Sequence, residues 1–132
     1  MKPQPTLVGL SLISILLLSL HLTDDILYAN GGMGVRGLAN LATVLILATW
    51  LYATIGLADH RSGKVLMLLG ALLGAAMPVI HMTGTGGIVG ADAAGSTRAF
   101  FFVWTTLAVG ATSVVAGALA IRALVRGDAP AR

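Results

Sequence analysis

Between Leu7 and Leu20 the chain carries no charged residue, and the next five residues are His21-Leu22-Thr23-Asp24-Asp25. No other stretch constrains the fold as strongly. A helix needs about 20 apolar residues to span a bilayer, and this run ends in one imidazole and two carboxylates. Three more apolar segments follow and use up most of the chain. Only 10% of the 132 residues are charged, against about 25% in soluble domains. The expected fold is all-α: an integral membrane bundle of four antiparallel transmembrane helices, over about 5–28, 38–57, 64–82 and 98–125. The whole of 1–132 reads as a single transmembrane domain.

A cleaved signal peptide is the competing reading of the first segment. Its apolar core spans about 7–15 residues and ends at a small-residue site. The run here is longer and no A-x-A pattern follows it, so it reads as a retained multi-pass span. Orientation follows from the basic residues. With the N-terminus inside, Lys2, Arg61, Lys64, Arg122, Arg126 and Arg132 are cytoplasmic, and only Arg36 and Arg98 are outside. The expectation is N-in and C-in, in a membrane such as the bacterial inner membrane. His21, Asp24, Asp25, His81 and Asp92 then share the outer side, with Asp59 and His60 in the inner turn. His60 reads as a solvated turn residue.

Positions Ser11, Ser14, Leu18, His21 and Asp25 recur at steps of three and four and so share one helical face. Asp24 flanks that face. Lipid cannot satisfy such groups, so the stripe is expected to turn into the bundle. Two adjacent carboxylates in a poorly solvated place call for a proton, a cation or water. The plain alternative is that helix 1 simply meets water near Leu22. The serines read as packing residues.

The third segment carries Met67, Gly70, Gly74, Met77 and His81 along one face, with Gly70 and Gly74 forming a G-x-x-x-G spacing that admits a close neighbour. Pro78 cannot donate to the Gly74 carbonyl and is expected to kink the outer end. The topology then brings His21 and His81 to one depth. Two imidazoles with Asp24 or Asp25 suit Zn, Cu or Fe. Met77, Met82 and Asp92 are further candidate ligands, and a thioether would favour Cu(I). No HExxH or clustered histidine motif is present. Haem b held by the two histidines is a weaker reading, with Gly70 and Gly74 leaving room for a flat ring.

There is no cysteine, which excludes disulfides and thiolate metal sites. The net charge is +3, but the basic residues sit at helix ends and form no stripe with aromatics, so nucleic acid is not an expected partner. The lipid bilayer is. Small-residue stripes, Thr106-Gly110-Ser113-Gly117 on the fourth segment and Asn40-Thr43-Trp50-Thr54 on the second, read as packing faces or as a surface for a homo-oligomer or a larger membrane protein. Trp50 and Tyr52 near one interface, and Tyr28, Phe100, Phe101, Phe102 and Trp104 near the other, fit aromatic belts.

Three functions fit these residues. One is a transition-metal binding protein using His21, Asp24, Asp25 and His81. The second is a small oligomeric transporter coupled to protons or cations through the same groups. The third is a structural accessory subunit. A bound metal could act as a Lewis acid, yet no substrate pocket is legible, so enzyme activity stays open.

Overall fold

The computed structural model describes residues 4–28, 35–83 and 97–127. Four helices fill them: α1 Pro5–Tyr28, α2 Val35–Gly56, α3 Arg61–Thr83 and α4 Thr97–Gly127. No strand occurs among the described residues. Three stretches are long and apolar enough to cross a membrane, Pro5–Asp24, Arg61–Met82 and Ala99–Arg126, whereas the apolar part of α2, Leu41–Gly56, is shorter. The all-helical bundle expected from the sequence is the fold observed.

The distribution of side chains is the reverse of a water-soluble protein. Leu16, Leu45, Ile55, Phe100 and Val125 stand on the surface, while Ser11, Ser14, Ala53, Thr54, Ala116, Ala120 and Ser113 are buried. Lipid tails are as apolar as leucine, so a bundle in lipid gains by placing small residues where helices meet. The exposed apolar girdle and small-residue interior support a membrane protein. α4 is the central element, packed most extensively against α3 and next against α1, and α2 lies to the side.

Paired contacts set the helix directions. Ser14 donates to Thr112 at 2.9 Å, and His21 meets Thr106, so α1 and α4 run antiparallel. α3 and α4 do the same. Gly74 faces Ser113, Gly110 faces the Pro78 ring, and Gly117 faces Ala71. A Cβ at Gly74 or Gly110 would collide with those partners, whereas one at Gly117 would sit 3.6 Å from the Ala71 methyl, an ordinary contact. Two of these glycines are therefore needed for close approach, and the third is merely compatible with it.

Several local expectations change. The α2–α3 turn is shorter than anticipated, because α3 begins at Arg61 and takes Ser62, Gly63 and Lys64 into its first turns. The His60 amide donates to the Leu57 carbonyl at 2.9 Å, and the Lys64 amide to the His60 carbonyl at 3.2 Å. Any Cβ on Gly63 would strike the Leu57 carbonyl. This glycine serves a close crossing inside a helix and does not break it. α2 starts at Val35, and α3 continues through Pro78 to Thr83.

Gly70 and Gly74 do not serve one neighbour. The Trp50 indole of α2 lies over Gly70, and Ser113 of α4 lies over Gly74. Trp50 is accordingly buried at 2% exposure and belongs to no interfacial belt. Tyr52, Phe100, Phe101 and Trp104 do face outward, but Phe102 is buried. The anticipated glycine break at Asn30–Gly34 and the Gly-rich connection after Thr83 lie outside the described residues, apart from the Thr83 backbone.

Candidate functional site

His21 lies on the α1 face that already buries Ser11, Ser14 and Leu18, and it is fully enclosed. His81 lies in the last turn of α3 and is half-buried. Their ring centroids are 4.9 Å apart with the planes at 70°. Phe102 of α4 completes a cluster of three rings, 4.4 Å from His21 and 5.3 Å from His81. The sequence reading brought the two histidines together from topology alone, and the structure places them in contact.

Two threonines of α4 meet the Nδ1 atom of His21. Thr106 Oγ1 stands 3.1 Å from it and Thr105 Oγ1 3.5 Å. Both hydroxyls also reach back to helix carbonyls: Thr106 donates to Phe102 at 2.7 Å, and Thr105 lies 2.9 Å and 3.0 Å from the carbonyls of Phe101 and Phe102. A carbonyl can only accept, so each hydroxyl hydrogen is committed to the backbone and its lone pairs face the imidazole. We therefore assign the proton of neutral His21 to Nδ1, which donates to Thr106. Nε2, which is enclosed, then carries the lone pair. A histidine with Nδ1–H fixed by an oxygen acceptor is oriented for ligation or proton capture through Nε2.

Asp24 follows His21 by about one helical turn and is 8% exposed, so helix 1 is still packed against the bundle at this carboxylate. The side chain of Asp25, and Asp92 altogether, lie outside the described residues. Met77 packs against the core cluster, and Met82 is half-buried. Among the described residues, no three His, Cys, Asp or Glu side chains are grouped closely enough to hold a metal ion. The two imidazoles form a pair, with Asp24 near in sequence but not gathered into a three-ligand set.

Thr105, Thr106 and Phe102 are the site residues that sequence reasoning missed. Thr106 was legible only as part of a small-residue stripe, because a back-bonded helical threonine and a histidine-orienting one have the same sequence signature. Matching depths on the antiparallel α1 and α4 would have pointed to it. An open cavity of about 290 Å³ lies elsewhere, between α2 and α3, with Thr49, Trp50, Leu69 and Gly70 in its wall. It is almost wholly apolar and offers no polar constellation for chemistry. His60 is exposed, as expected.

The features together define a class: an all-helical, membrane-type bundle with a histidine pair at one end, one ring enclosed and the other half-buried. Compared with known proteins, the chain matches no family model, no curated protein and no solved structure. The site must therefore be read from its own geometry.

Proposed function

We propose that the protein is a four-span membrane protein, N-in and C-in, that binds one transition-metal ion at the outer end between His21 and His81. The observation that carries this reading is the ring separation of 4.9 Å. Two imidazoles bound to one tetrahedral ion through nitrogens at about 2.0–2.1 Å have centroids about 5 Å apart. The assigned Nδ1–H of His21 leaves Nε2 as its ligand atom, in the manner of metal-binding histidines whose second nitrogen is held by a protein acceptor. Two histidines leave two positions of a tetrahedral ion to be filled, with Asp24, Asp25, Asp92 and water as the oxygen donors and Met77 and Met82 as sulfur donors. Oxygen donors would favour Zn or Fe(II), and a thioether Cu(I). Haem is disfavoured, because the Trp50 ring and Ser113 fill the space over Gly70 and Gly74.

Metal analysis of the purified protein tests the reading. After incubation with Zn, Cu or Fe(II) and removal of unbound ion, close to one ion per chain is expected. His21→Ala and His81→Ala should each abolish it while helicity by circular dichroism is kept. A folded wild-type chain that retains none of the three would overturn the proposal.

One observation favours a second reading. Two imidazoles, which among the described residues have no third grouped ligand, are sufficient to hold a shared proton, the requirement of a proton-coupled carrier. Proton flux in liposomes, lost in His81→Ala but insensitive to chelators, would select this over metal binding. Docking to a larger membrane complex is the third reading, and it predicts that neither substitution changes function.

A further inference from the structure

At the opposite end of the bundle stands the most enclosed charged side chain among the described residues. Lys64 is 2% exposed, although lysine is almost never fully buried unless paired. It lies in the first turns of α3, where the helix dipole is positive and no acidic residue offsets it. Among the described residues no carboxylate makes an ion pair with it, and Asp59, the acid of the nearby turn, is exposed.

Its surroundings follow from helix register. Ala71 meets Gly117; continuing two turns along the antiparallel pair brings Lys64 level with the α4 segment around Ala123. There Ala120 and Ala123 are buried, as is Leu7 of α1. Arg61, Arg122 and Arg126 are exposed at the same end. The result is a lysine whose stem is enclosed in a small-residue seam, with three exposed arginines at the same end of the bundle, at the depth where a helix end meets the membrane surface.

We propose that this seam is a binding site for a phosphodiester group, supplied by the headgroup of an anionic phospholipid. A phosphodiester carries the single negative charge that Lys64 lacks, and its other oxygens can accept from the arginines. The lipid's acyl chains would lie against the exposed apolar girdle, which free phosphate could not use. Basic pockets between membrane helices recognise anionic headgroups in this way. The proposal is independent of the histidine pair.

The test is lipid retention by native mass spectrometry. The full chain is extracted from bilayers of equal phosphatidylglycerol and phosphatidylcholine, carried in detergent and analysed with its bound lipid. About a fivefold preference for phosphatidylglycerol is expected from one lysine at the surface. Lys64→Gln should remove the preference, Lys64→Arg should keep most of it, and His21→Ala should leave it unchanged. Lys64→Met provides a second neutral variant in case the amide misfolds. Equal retention of both lipids by the unaltered chain, or an undiminished preference in folded Lys64→Gln and Lys64→Met, would overturn the proposal. So would inorganic phosphate at millimolar concentration displacing the lipid, since that would make the site one for free anions.

Discussion

The imidazole of His21 and the imidazole of His81 stand 4.9 Å apart and 70° from coplanar, one on the first helix and the other sixty positions later on the third. Neither helix alone could create this contact. It depends on α4, which touches both histidines through Phe102 and orients His21 through Thr106.

Thr106→Val keeps the shape of the side chain and removes the oxygen that accepts from Nδ1 of His21. Loss of such a partner lowers metal affinity by about 10–100-fold in known sites. The same fall is expected here, measured by competition with a chromophoric chelator. Nitrogen NMR of labelled histidine should show the Nδ1–H form in the wild type and a mixture in the variant, with or without metal. Wild-type protein showing Nε2–H throughout would remove the assigned tautomer.

Acidification should release the bound ion. Only a neutral imidazole has a lone pair to give, so protons compete with metal for both histidines. Retention is expected to fall as the pH is lowered and to recover when it is raised again, followed by metal content after equilibration at each pH. Retention that persists through the ordinary histidine range and falls only in the carboxyl range would argue for carboxylate ligands in place of the histidines.

Gly110→Ala and Gly117→Ala should behave differently although both lie on one stripe of α4. The added methyl at 110 meets the Pro78 ring, whereas at 117 it makes an ordinary 3.6 Å contact with Ala71. Overpacking of this kind costs about 1–3 kcal/mol. Thermal unfolding in detergent should show a clear fall for Gly110→Ala and little change for Gly117→Ala. Equal effects would mean that α3 and α4 are not held in this register.

Trp50→Ala should be far more damaging than Trp104→Ala. Trp50 is buried on Gly70, and Trp104 is 51% exposed. Removing a buried tryptophan costs about 3–5 kcal/mol, whereas removing one from the outer surface is expected to change the unfolding temperature little. Similar losses for both would place α2 differently.

The Ser14–Thr112 hydrogen bond, at 2.9 Å, should contribute modestly. Interhelical bonds of this type average about 0.6 kcal/mol in membrane bundles. A double-mutant cycle with Ser14→Ala and Thr112→Val is expected to return a coupling of that order, and one above about 2 kcal/mol would point to a larger polar network around these residues.

Much of this was readable in the amino-acid order. Long uncharged runs can only be helices, and the spacing from Ser11 through Ser14 to His21 identified the inward face of α1 before any packing was known. The meeting of His21 with His81 followed from two spans entering from the same side. What escaped the reading was shape. Gly63 falls in the turn before a third helix expected from 64, until the Leu57 carbonyl is seen against it inside α3. Gly70 and Gly74 read as one notch until Trp50 and Ser113 occupy them separately. Trp50 and Phe102 read as interfacial aromatics because residue type says nothing of which way a ring turns. Thr106 looked like filler because its second role needs a partner eighty-five positions away.

The seating of Pro78 in the gap left by Gly110 has a longer reach than local fit. It works as a detent between two rods. Pro78 stands three residues before His81, and Gly110 four residues after Thr106, so the one notch indexes both histidine supports at once. Sliding α3 along α4 by a single turn, about 5.4 Å, would lift the proline from its seat and carry the two imidazoles out of reach of each other.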